Sequence, residues 1–173
     1  MASTLKINNL DTASGSTITV AGGKTLTGLV NASSGFTPPA GHVVQVKSMS
    51  TNSDNSYTSS TYTDTVLTLS ITPTSSSNKI LVMMDAEITV QGDSNFNLRL
   101  MRDSTEIFLA LAGAGNFGSN NQHGHGYSAS YLDSPSTTSA TTYKFQVREN
   151  SNGTIRITGE SGGGTLTLME ITA

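Results

Sequence analysis

Residues 141–160 read TTYKFQVRENSNGTIRITGE, and the period of that stretch decides the fold class. Apolar and polar residues alternate on both sides of Asn152-Gly153, the two-residue period of a strand with one face turned to a core. Asn-Gly suits the left-handed backbone of a type I′ turn, so the pair predicts a β-hairpin joining the two runs. The same period recurs along most of the chain. HVVQVKSM (42–49) sets Val44, Val46 and Ser48 against Val43, Gln45 and Lys47, and TVLTLSI (65–71) sets Val66 against Leu67, Leu69 and Ile71. KILVMMDAEITV (79–90) is long enough to bend midway, FNLRLMR runs into TEIFLAL across a predicted turn at Asp103-Ser104, and HGYSASYL and GTLTLMEI supply further runs. No stretch carries apolar residues at helical spacing. Eight or nine short strands joined by Ser, Gly and Asn turns predict an all-β protein, a jelly-roll-like antiparallel β-sandwich.

Composition narrows the function. Of 173 residues only 12% are charged and 6% aromatic, Cys and Trp are absent, and the net charge is -3. Such a chain lacks the basic stripe that phosphate neutralisation demands, so nucleic acid is not an expected partner. Without Cys there is neither a disulfide framework nor thiol chemistry. The opening MASTLKINNL has no basic segment followed by an unbroken apolar run, and no stretch reaches membrane length, so synthesis in a cytoplasm without membrane insertion is expected.

The first forty residues follow a different pattern. Their alternating pieces are very short and carry one or two apolar side chains each: Leu5, Ile7 and Leu10, then Ile18 and Val20, then Leu26. Strands so brief bury no core within one chain. Three copies wound about a common axis pool those side chains into a thin apolar column, so residues 1–30 are expected to be a trimeric anchor or shaft. Residues 31–41, NASSGFTPPAG, form a Pro/Gly/Ser linker stiffened by Pro38 and Pro39. Residues 42–173 then make the sandwich head. Met83, Met84 and Met169 lie among its apolar strands, where Met serves either ordinary core filling or the fit to an irregular neighbour.

Taken in order, LKINNLDTASGSTITVAGGKTLTGLV, PPAGHVVQVKSM, LTLSITPTSSSNKILVMMDAEI, SASYLDSPSTTSATTYKFQVRENSNGTIRI and GGGTLTLMEITA resemble the small fibre and fibre-tip proteins of marine bacteriophages, including those of cyanobacteria and pelagic bacteria. The likeness spans almost the whole chain and lies in the succession of segments. It implies a homotrimeric virion structural protein with a β-sandwich head, made in the host cytoplasm and displayed on the virion surface beside other capsid or tail proteins. Longer family members carry an extended docking module. Here only about forty residues precede the head, so the leader is expected to do the docking, as a head fibre or capsid decoration. A tail-fibre tip that binds a host surface glycan is the alternative.

Candidate sites are few. His123 and His125 in QHGHGY (122–127) stand two apart, which in a strand puts them on one face. Around a threefold axis they would present six imidazoles to a transition metal. No third ligand accompanies them at metal spacing, so a loop entering a strand is the expected reading and no metal or other cofactor is assigned. ALAGAGNFGSNNQ (110–122) lacks the Gly-Lys-Ser/Thr ending of a phosphate loop. It reads as a long exposed loop in which Asn116, Phe117, Asn120 and Asn121 are candidate receptor contacts. Asp85 and Glu87 share a strand face, Asp133-Ser134-Pro135 reads as an Asx turn, and no Gly-X-Ser-X-Gly elbow occurs. Enzyme activity is therefore not expected.

Overall fold

The computed structural model describes residues 38–92, 94–115, 122–157 and 163–173, with the backbone alone at 122 and 123. Its strands are β1 (Val43–Thr51), β2 (Asn55–Tyr57), β3 (Thr63–Ile71), β4 (Lys79–Gln91), β5 (Asn95–Arg102), β6 (Thr105–Gly115), β7 (Gln122–Asp133), β8 (Thr141–Glu149), β9 (Thr154–Ile157) and β10 (Gly164–Ile171). Every pairing is antiparallel. One sheet orders β1, β10, β4 and β7, with β9 and β2 continuing it beside β4, and the second orders β3, β8, β5 and β6. That is the order of a jelly roll, in which two Greek keys close over one core. Residues Pro38–Ala173 form one compact unit.

β4 is the spine of the first sheet. All of its residues from Ile80 to Gln91 pair with β7 without a register shift, and the bend expected in its middle is answered on its other edge. There Lys79 to Ala86 pair with β10 and Ile88 to Gln91 with β9, so β9 and β10 are two lengths of one strand position. β1 and β2 are divided at the same level, because Thr51 pairs with Gly164 and Asn55 with Ile157.

The alternation read in the sequence becomes the core directly. Ile80, Val82, Met84, Ala86, Ile88 and Val90 of β4 face Phe96, Leu98 and Leu100 of β5, Tyr143, Phe145 and Val147 of β8, and Leu67 and Ile71 of β3 in one buried cluster. Each such side chain, fully withdrawn from water, contributes about 1.5–3 kcal/mol before conformational entropy is subtracted. Of the face predicted to hold Leu67, Leu69 and Ile71, Leu67 and Ile71 are buried, while Leu69 and, on the other face, Val66 are each partly covered. Asp103 has φ 51°, and Asp103-Ser104 makes the β5–β6 turn as expected.

Two local readings are corrected. Asn152-Gly153 is a turn, and Asn152 has φ 70°, but it does not close a hairpin. β8 lies in the second sheet with β3 and β5 on its two edges, so β9 crosses to the first sheet and pairs with β4 and β2. In β1 the register shifts between Val43 and Gln45. Val46 and Ser48 do share a face, but it is the outer one, while Met49 of the opposite face packs on the core.

At the base of the first sheet the entering chain is tied to the C-terminal strand. Gly41 N–H donates to the Thr172 carbonyl at 2.9 Å, Thr172 N–H to the His42 carbonyl at 2.9 Å, and the Thr172 hydroxyl to the Pro39 carbonyl at 2.5 Å.

Candidate functional site

The outer face of the first sheet carries an apolar row that crosses four strands. Val46 pairs with Met169, Met169 with Leu81 and Leu81 with Leu132. Residues opposite one another on neighbouring strands point to the same side of the sheet, so the four form a continuous band. Val46 is 54% exposed and Leu132 48% exposed, while Met169 and Leu81 between them are half-covered. Met83, two residues along β4 on the same face, is also exposed, and Val43 pairs with Ile171 at the lower border. Met84 fills the core, whereas Met83 and Met169 lie on the outer face, so neighbouring methionines serve opposite sides of one sheet. Above the band the face turns to small and hydroxyl side chains: Ser48, Thr167 and Ser130, then Ser50, Thr165 and Ser128.

That upper region holds the paired carboxylates. Asp85 and Glu87 share the outer face of β4 as the spacing predicted, and β7 sets Ser128 and Gly126 opposite them. The Ser128 hydroxyl donates to Asp85. A Cβ at Gly124 would stand 2.7 Å from Glu87 Oε1, so this glycine makes room for the carboxylate. Asp85, Gly126, Ser128, Gly163 and Thr165 border an open hollow of about 450 Å³.

Three buried carboxylates, by contrast, hold corners of the sandwich. Glu170 is 0% exposed. It accepts from Gln45 Nε2 at 2.5 Å, Asn78 Nδ2 at 2.6 Å, and both the N–H and the hydroxyl of Thr74 at 2.7 Å. Glu149 accepts the Ser94 hydroxyl at 2.7 Å and the N–H groups of Ser151 at 2.5 Å and Asn152 at 2.7 Å, so it pins the crossover after β8. Burial pushes both carboxyls up, but the hydrogen bonds outweigh it and hold each below the ordinary glutamate value. Asp133 takes both carboxylate contacts of Arg102 Nη1 at 2.9 Å and the Tyr143 hydroxyl at 2.7 Å. Burial, then the Asp133 bond, pushes the Tyr143 phenol far up. The Asx-turn reading of Asp133 is local; its partners Arg102 and Tyr143 are on β5 and β8 of the other sheet, which no local spacing reveals.

The outer face of the second sheet is charged. Lys144 pairs with Asp64 at 2.7 Å, and Arg99 Nη1 with Glu106 at 2.7 Å. Arg99 also donates through Nε and Nη2 to Gln146 and lies 3.7 Å from the centroid of the Tyr62 ring. Arg148 is 5.0 Å from the same centroid. Its Nε is buried and has no hydrogen-bond partner among the described residues.

Both histidine positions fall within β7, opposite Val90 and Ile88, rather than in a loop leading into it. The His125 ring is exposed and meets Tyr127 edge-on at 6.3 Å. Among the described residues no cluster of three His, Cys, Asp or Glu side chains could hold a metal ion, and no helix is long and apolar enough to cross a membrane. Asn116, Phe117, Asn120 and Asn121, and the leader residues Leu5, Ile7, Leu10, Ile18, Val20 and Leu26, lie outside the described residues.

No protein-family model matches the chain, and no curated protein does. Among solved structures the chain is similar to one described as "Structure of infectious bursal disease virus Gt strain", at 11% identity and a TM-score of 0.39. The alignment covers 86% of this chain and 42% of that one, so the chain spans less than half of its length.

Proposed function

We propose that the chain is a structural protein of a virion, the sandwich head of a short homotrimeric fibre anchored through its N-terminal segment. The observation that carries this reading is the band of Val46, Met169, Leu81 and Leu132 across the outer face of the first sheet. An exposed apolar band flanked by Ser and Thr is suited to burial against a surface of the same composition, and identical copies supply one under closed symmetry. Its position adds support. The band lies next to the pairing of Gly41 and His42 with Thr172, the end at which the chain enters from residue 38. The resemblance of the ordered segments to phage fibre proteins points the same way.

The experiment is a mass measurement on the full chain in solution at micromolar concentration, with immunogold labelling of intact particles. The expected species has three times the 18.0 kDa chain mass, and the expected label decorates the capsid. A monomer would overturn the trimer, and labelling confined to the tail tip would replace the head fibre with an adhesin. One observation favours that second reading, in which head residues bind a host surface glycan: the second sheet displays a cation, Arg148, with no carboxylate partner among the described residues.

A further inference from the structure

We infer that the outer face of the second sheet carries a binding site for an acidic sugar, with Arg148 receiving the carboxylate and Asn97 and Asn150 meeting ring hydroxyls. The inference goes beyond the proposed function by naming a ligand class for the head, and it holds for a head displayed on the capsid or at a tail tip. It rests on a residue whose guanidinium meets the Tyr62 ring and has no carboxylate partner among the described residues.

The charges of this face sort themselves into pairs with one remainder. Lys144 has Asp64 and Arg99 has Glu106. Elsewhere Arg102 has Asp133 and Arg156 has Asp54. Arg148 alone among the arginines has no carboxylate among the described residues; its Nε is buried and without an acceptor among them, so an outside anion would meet the two Nη groups. It is half-buried, and it shares the Tyr62 ring with a second guanidinium, that of Arg99. Two cations gathered on one ring with a single carboxylate, Glu106, leave a local positive excess. A half-desolvated cation of this kind costs stability unless something supplies the missing negative charge. Arg presents a planar fork that matches a carboxylate with two parallel hydrogen bonds.

The neighbours of Arg148 determine which anion fits. Asn97 pairs directly across from it on β5, and Asn150 follows it by two residues on its own chain. Asn150 Nδ2 donates to Asn95 Oδ1 at 2.7 Å and to Asn97 Oδ1 at 3.1 Å, and Gly113 N–H donates to Asn97 Oδ1 at 2.8 Å. These bonds fix the two amides in place. They leave the Asn97 amide nitrogen as a donor and the Asn150 carbonyl as an acceptor, the complementary pair that adjacent sugar hydroxyls require. Gln146, whose Oε1 accepts twice from Arg99 and whose Nε2 donates to Asp64, closes the other side. An anion without hydroxyls would use Arg148 and waste the two amides; a neutral sugar would use the amides and leave Arg148 unanswered.

The test is ligand-observed saturation-transfer NMR on the full chain with sodium glucuronate, glucose as the neutral control and sodium sulfate as competitor. Glucuronate is expected to bind in the millimolar range expected of a single monosaccharide, about -4 kcal/mol, glucose not to bind, and Arg148→Gln to weaken glucuronate by about tenfold or more. Arg148→Met is expected to abolish binding and to leave the melting temperature within about 4 °C of the parent or above it, because the cation costs the fold more than it gives. The proposal is overturned by equal signals from glucose and glucuronate, by displacement at equimolar sulfate, by unchanged binding in Arg148→Gln, or by a larger fall in melting temperature for Arg148→Met, which would make Arg148 a structural residue. The binding result turns on Arg148 alone, whereas the adhesin reading stands or falls on where the protein is labelled on the particle.

Discussion

The Tyr143 hydroxyl donates to the Asp133 carboxylate at 2.7 Å, from β8 in one sheet to the end of β7 in the other. Arg102 of β5 closes on the same carboxylate, so one acid ties three strands across the sandwich. Tyr143→Phe removes one bond and leaves Asp133 its arginine, and is expected to cost about 1–2 kcal/mol. Asp133→Ala strands both Arg102 and the phenol, and is expected to cost about 3 kcal/mol or more. Urea unfolding of the two variants checks the order; equal losses would mean that Arg102 contributes nothing to the tie.

Acid is expected to open the corners held by Glu149 and Glu170. Each carboxyl titrates in the folded chain below its ordinary value of 4.5. A depressed carboxylate therefore adds stability that is fully present above the ordinary value and lost as pH falls through the folded-state value. The urea midpoint should hold steady above about pH 5 and decline below it. In Glu170→Gln it should start lower at neutral pH and fall less steeply in acid, since the titrating group is gone. A variant with the parent's slope would remove Glu170 from the account.

Charges placed in the apolar band test the association surface without touching the core. Val46→Asp and Leu132→Asp sit on exposed side chains, so each is expected to change monomer stability by no more than about 0.5 kcal/mol. Together they are expected to weaken self-association by about a hundredfold, about 2.7 kcal/mol, read by mass photometry across a dilution series. Unchanged association would move the interface off this face.

Gly153 and Gly126 are expected to answer the same substitution differently. A Cβ at Gly153 would meet Ser94 Cβ at 2.2 Å and the Gln91 carbonyl at 2.7 Å, where backbone must shift. At Gly126 nothing stands within 4 Å. Gly153→Ala is expected to cost about 2–4 kcal/mol and Gly126→Ala to be neutral or slightly stabilising, both read by thermal unfolding.

How much of this was legible beforehand follows from the range of each signal. Alternation is local, so the buried series of β4 and β8 and the turn at Asp103 were readable residue by residue. Asp85 and Glu87 sharing a face was likewise a matter of period. Arg148 gave no signal, because its meaning lies in what the described residues of β3 and β5 on its two sides do not bring it, and nothing in the local pattern marks Glu149 or Glu170.

The sequence by itself determined that this protein is built of strands, where most of them lie, and that Asn152-Gly153 turns the chain. Only the tertiary structure decided where the chain goes after that turn. β8 already has β3 and β5 hydrogen-bonded along both edges, so it has no backbone groups left to offer β9, and a left-handed turn that would otherwise close a hairpin instead carries the chain to the opposite sheet. A local conformation is set by the residues that adopt it, but a strand's partner is set by which edges remain unpaired, and that is a property of the whole fold.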